Sequence, residues 1–206
     1  MARSYLAADA RIRAQAPRAP IAFLVYVGRV REFTRQDWRI YVSWVGLMLG
    51  LVFATSGFVI FGRLHQVVFP AEAYWVPLGA IVFTLSIAID TIGHRTIYKK
   101  EIQRAEGLVH GITIFCGIGS CILLTAAYES RGTYWIPALV LTVLSILYSL
   151  VDEAFHWRRY VNQHSDPVEM WCHVGILTGH LIMMIAWWTW FVRGYAGVAQ
   201  TLTALS

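Results

Sequence analysis

The sequence predicts an all-α integral membrane protein: five transmembrane helices, four of them forming a metal-binding bundle, preceded by a short interfacial helix. Three observations predict it. Hydrophobic residues make up 57% of the 206-residue chain and charged residues 14%, against about 45–50% apolar and about 25% charged in soluble domains. Five stretches without formal charge approach the ~20 residues that cross a bilayer as helix. Acids and histidines recur together at the ends of four of those stretches.

Residues 1–37 form a basic N-terminal segment. Within it, "PIAFLVYVGRV" (20–30) is apolar, too short to span and flanked by arginines, which suits a helix lying on the cytoplasmic membrane surface, with a disordered arm as the alternative. "MARSYLAADARIRAQAPRAP" contains no apolar signal core, so the first span is expected to direct insertion itself. The membrane domain occupies 38–193. Its uncharged stretches are Ile40 to Gly62, Tyr74 to Ile89, Gly107 to Tyr128, Gly132 to Val151 and Met170 to Val192. The second and fourth reach full spanning length only if their helices continue past Asp90 and Asp152. A short tail, 194–206, follows.

Fourteen of the seventeen lysines and arginines fall before Ile40, between Arg95 and Arg104, or at Arg158 and Arg159; Arg63, Arg131 and Arg193 fall on the other side. Cations near span ends resist translocation. The N-terminus is therefore expected in the cytoplasm and the C-terminus outside, in a plasma membrane such as the bacterial inner membrane. The net charge of +5 then reflects topology and anionic lipid heads rather than nucleic acid, for which no soluble basic module is present. Cys116, Cys121 and Cys172 lie inside spans without a paired framework and read as small apolar fillers.

The chain echoes itself. "YWVPLGAIVFTLSIAIDTIGH" and "YWIPALVLTVLSILYSLVDEAFH" both open on Tyr-Trp-aliphatic-Pro and close on Asp-x-x-x-His. The Tyr-Trp pairs suit the aromatic belts of a membrane interface, and the prolines are expected in the first helical turn, where a missing N–H costs least. After each echo a loop leads to a Glu-x-x-x-His that opens the next span. Gly107, Gly111, Gly117 and Gly119 on the third span, with Gly175 and Gly179 on the fifth, are expected to let helix backbones approach. The tryptophans of "AWWTWF" (186–191) are expected at the outer interface.

The candidate ligands are Asp90 and His94, Glu106 and His110, Asp152, Glu153 and His156, and Glu169 and His173. Three- or four-residue spacing puts each acid and its histidine on one helix face, about 6 Å apart along the axis. Five of the twelve acids and four of the seven histidines occupy these windows. Ionisable groups at membrane depth are costly unless paired or coordinated. Each single pair is explained better by snorkelling or a plain salt bridge, such as Glu106 with Arg104; the fourfold recurrence is not. Carboxylate and imidazole from four helices resemble in logic the di-iron carboxylate bundles, and mixed oxygen and nitrogen donors suit iron, manganese or zinc, with copper also open. The set exceeds one ion's needs, so two metal ions, iron foremost, are expected, with carboxylates such as Glu106 and Glu169 as bridges and either Asp152 or Glu153 as ligand.

His180 lies seven residues beyond His173 and about 10 Å deeper on the same face. It reads either as a histidine bonded to a neighbouring helix or water, or as a cofactor-binding residue beside the substrate or on haem. His65 and His164 read as loop residues. The stretch "DEAFH" is similar, over five residues, to the Asn/Asp-Glu-x-x-His of the C subunit of copper-dependent membrane methane and ammonia monooxygenases. That family's site faces outside, whereas the arginines place this one inside, and later positions here hold Glu where that family has His. Five residues carry no function across.

The leading expectation is a membrane-embedded non-haem dimetal, foremost di-iron, oxidoreductase that activates oxygen and hydroxylates or desaturates a lipid-soluble substrate. Its electrons would come from a separate donor, since no flavin or ferredoxin motif is present. A b-type haem electron-transfer protein and a metal or proton transporter are the alternatives, and a zinc hydrolase is conceivable but lacks a Ser-His pairing.

Overall fold

The computed structural model describes residues 22–98, 104–163 and 166–206, the side chains of residues 104–106 and 163 excepted. Among the described residues there are seven α-helices and no strand: α1 (Phe23–Gly28), α2 (Arg35–Leu64), α3 (Ala71–Thr96), α4 (Arg104–Ala126), α5 (Arg131–Gln163), α6 (Pro167–Val192) and α7 (Val198–Leu205). Helices α2 to α6 each contain a segment long and apolar enough to cross a membrane. As expected, α3 and α5 run on past Asp90 and Asp152.

Local chemistry sets the helix starts. Thr34 caps α2: its Oγ1 accepts from the Asp37 N–H at 3.3 Å while its own N–H donates to Asp37 Oδ2 at 3.1 Å, a reciprocal capping box. Asp166 Oδ1 accepts from the Val168 N–H at 2.9 Å, and Pro167 opens α6 where no donor is needed. The prolines of the two echoes fall elsewhere than expected. Pro77 and Pro137 lie inside α3 and α5, in the second turn, because both helices begin several residues before the Tyr-Trp pair. Each therefore removes one i to i−4 bond.

Two antiparallel pairs make the bundle, α3 on α6 and α4 on α5, joined through α5 and α6; α2 leans on α3. Glycine permits the first pairing at one crossing. A Cβ on Gly179 would lie 2.9 Å from Phe83 Cα and 2.9 Å from the Gly79 carbonyl, and one on Gly79 would strike the Met183 backbone. Gly175 seats Ser86, and Gly119 seats Leu141. Gly107, Gly111 and Gly117 do not serve as expected, since a Cβ there meets nothing within 4 Å. Among the described residues, no helix packs against that face of α4.

The ends of α3 and α5 and the starts of α4 and α6 share one end of the bundle, here the acidic end. The opposite end holds the apolar core, including Phe69, Val76, Leu124, Met184, Trp187 and Phe191. Trp187 and Trp190 are buried there and Trp188 donates to Thr142 Oγ1 at 3.0 Å, so "AWWTWF" builds core and not an interface belt. Trp75 and Trp135, from the Tyr-Trp pairs, are exposed. Tyr195 takes positive φ (54°) between Gly194 and Gly197, held by its hydroxyl, which accepts from Trp187 Nε1 and donates to the Leu124 carbonyl at 2.6 Å. Helix α7, unforeseen in the tail, packs on α2, with Thr201 against Gly62.

At the acidic end, Arg95 of α3 binds Asp37 of α2, its Nε donating at 2.8 Å. Within the run at 20–30, Phe23–Gly28 forms a short helix, α1. It places Tyr26 in the interior, against Gly93.

Candidate metal centre

Four helices converge on the acidic end with the side chains that the spacing singled out. From α3, His94 Nε2 lies 3.3 Å from Asp90 Oδ2. From α4, His110 Nδ1 lies 3.1 Å from Asp152 Oδ1 of α5. From α5, His156 faces two acids at once: Nδ1 is 3.0 Å from Glu169 Oε1 of α6, and Nε2 is 3.7 Å from Asp152 Oδ1. From α6, His173 Nδ1 lies 3.1 Å from Glu153 Oε1, and its Nε2 is 3.4 Å from Asp90 Oδ1. His156, Glu169 and His173 are at most 1% exposed, and Asp90 and Asp152 are also buried.

Asp152 and Glu153 are neighbours in sequence but point at different histidines. Asp152 lies between His110 and His156, while Glu153 orients His173 from behind. Such an orienting partner fixes which ring nitrogen faces inward. The side chain of Glu106 lies outside the described residues, as does His164.

Several buried atoms in this cluster make no hydrogen bond among the described residues: Asp90 Oδ1, His94 Nε2, Glu169 Oε2 and His173 Nε2. Buried polar atoms are nearly always satisfied, so their convergence is unusual. One ligand atom each from His94, His156, Glu169 and His173 lie within 4.8 Å of one another, and so do one each from His110, Asp152 and His156. A first-row ion binds nitrogen and oxygen at about 2.0–2.2 Å, which puts two of its ligand atoms no more than about 4.4 Å apart. Both groups come within a few tenths of an ångström of that.

Charge points the same way. Asp90, Asp152, Glu153 and Glu169 crowd together, and among the described residues Arg159 is the fixed cation bonded to them, its NH1 donating to Glu169 Oε1 at 3.0 Å. Arg159 was not foreseen, although it continues the face of Asp152 and His156 by another turn of α5. Its guanidinium also lies over the Tyr98 ring, 5.6 Å from the centroid, and the Tyr98 hydroxyl accepts from the Asp166 N–H at 3.0 Å. Burial and then the Glu169 charge hold the Tyr98 phenol well above its ordinary pKa. Burial, followed by Asp90, does the same for Tyr26. Both therefore remain neutral hydroxyls beside the acids.

His180, 3% exposed, sits deeper, with Nε2 3.4 Å from Ser145 Oγ on α5 and its ring beside Phe83. Its Nδ1 makes no hydrogen bond among the described residues. His65 bonds the Phe61 carbonyl at 2.9 Å and stacks on the Phe61 ring, a loop residue as expected. The three cysteines are free and buried.

The arrangement can hold one or two cations among imidazole nitrogens and carboxylate oxygens, beside neutral phenols and one guanidinium. In comparison with protein families, curated proteins and solved structures, the chain matches none.

Proposed function

We propose that this protein is a membrane-embedded non-haem dimetal oxidoreductase, with iron foremost, that uses oxygen to hydroxylate or desaturate a lipid-soluble substrate. The observation that carries the reading is the convergence of acid and imidazole from four helices into two ligand groups that share His156. Cations neutralise clustered acids that would otherwise repel or take up protons.

When bound, the ions would supply oxygen binding and two-electron redox chemistry. The protein's own groups would hold them: His94, His156, Glu169 and His173 around one position, His110 and Asp152 with His156 around the other. Glu153 and Arg159 would orient His173 and Glu169. Hydroxylation replaces a C–H bond by C–O–H, the second oxygen atom leaving as water with two electrons and two protons. Desaturation takes two hydrogens from the substrate and reduces oxygen to two waters with the same two electrons and two protons. Those electrons would come from a separate cytoplasmic or quinone donor, because the chain carries no motif for a redox carrier of its own.

The cation distribution supports an acidic end in the cytoplasm and a C-terminus outside, in a membrane such as the bacterial inner membrane, and exposed Phe23, Leu24 and Val25 of α1 would rest in the lipid surface. Two observations weigh against the alternatives. His156 and His173 stack with centroids 3.5 Å apart, and rings that close hold no porphyrin between them. The tryptophan-rich core closes the far end of the bundle, where ion transport would need polar groups.

Metal analysis of the purified protein tests the reading. Two ions per chain and reductant-dependent oxygen consumption are expected; less than one ion per chain rejects it.

A further inference from the structure

A cleft of about 1010 Å³ lies between α2 and α4, floored by α3, α5 and α6. Its walls run from Ile40 to Ala54 on α2 and from Gly107 to Ile122 on α4. That is ~20 Å of helix by rise per residue, about two thirds of the ~30 Å hydrocarbon core. Asp90, His94, His110, Asp152 and His173 line it at the acidic end. Toward its depth the lining includes Leu51, Ile118, Ile122 and Met183, with buried His180 beside them.

The cleft is held open. Asp37 with Arg95 fixes α2 on α3 at the acidic end, and Gly62 against Phe69 and Thr201 fixes it at the other. Gly46 and Gly50 of α2 and Gly107 and Gly117 of α4 line it, and a Cβ on any of the four meets nothing within 4 Å. Glycine at all four positions widens the slot along its length. In a bilayer, an apolar slot between two spans is filled by hydrocarbon, because water there lacks partners. An amphiphile keeps its polar end at the interface, which is the level of the carboxylates and histidines.

We propose that this cleft binds the single long hydrocarbon tail of an amphiphile entering sideways from the bilayer, with the carbons next to its polar end held at the Asp90–His110 cluster and its tail end beside Ile122 and Met183. The chemistry done on those carbons rests on the function proposed above; the binding does not.

Photolabelling of the purified full chain in detergent with palmitate analogues tests it. A diazirine on the last carbon is expected to label the peptides of Ile122 and Met183 at least fivefold over lipid-exposed Leu85 and Ile185. A diazirine beside the carboxylate is expected to label those of Asp90 and His110. Tenfold excess palmitate removes the cleft labelling and spares Ile185. Gly50→Phe and Gly117→Phe, made separately from opposite walls, each lower the deep labelling at least fivefold at unchanged metal content. Uniform or unsaturable labelling, or the reverse order of the two probes, overturns the proposal. Focused labelling on a protein with less than one ion per chain rejects the dimetal reading and leaves the cleft; two ions with uniform labelling does the opposite.

Discussion

His156 and His173 lie ring on ring, centroids 3.5 Å apart and planes inclined by 26°. Each turns Nδ1 to a carboxylate, Glu169 for the first and Glu153 for the second. An imidazole whose Nδ1 is engaged by a carboxylate has its ring orientation fixed and its Nε2 free to face the cluster.

His156 belongs to both ligand groups and His110 to one. His156→Ala is therefore expected to lose both ions, and His110→Ala to keep one, as read by metal content per chain after dialysis. Equal losses in the two variants would contradict a shared His156.

Glu169 is buried with Arg159 as its fixed cation. Removing one partner of a buried pair costs about 3–5 kcal/mol. Arg159→Met should lower the thermal stability of metal-free protein in detergent by that order, and added divalent iron or zinc should recover part of it. A loss that metal does not lessen would place Glu169 away from the ions.

Tyr26, Tyr98 and Tyr195 all have phenols held above their ordinary value of 10.0, chiefly by burial. Above pH 10 the unfolded chain sheds these protons while the folded one keeps them, so stability is full below pH 10 and falls as pH rises. Each group contributes about 1.4 kcal/mol per pH unit to that fall. Unfolding measured between pH 9 and pH 11 should steepen accordingly, and Tyr26→Phe or Tyr98→Phe should flatten the slope.

Backbone atoms, which cannot move aside, crowd Gly79 and Gly179. Gly79→Ala and Gly179→Ala should each destabilise by about 1–3 kcal/mol. Gly111→Ala, with open space around it, should stay within about 0.5 kcal/mol of the parent. Detergent thermal melts compare the three.

The sequence by itself determined the number of spans, their order and the acid and histidine faces. Length in apolar residues and four-residue spacing are local properties, and a bilayer leaves few other ways to satisfy the backbone. Asp90, His94, His110, Asp152, Glu153, His156, Glu169 and His173 were all legible in this way. Only the tertiary structure decided which groups meet. It set Asp152 beside His110 and His156, turned Glu153 to His173, and brought in Arg159 and Tyr26 from outside the repeated pattern. It also set Gly79 opposite the expected Gly179 at the close crossing and left Gly107, Gly111 and Gly117 of α4 beside open space. Helix periodicity places a side chain on a face. What that face meets depends on pairing and rotation between helices, which spacing along one chain does not encode.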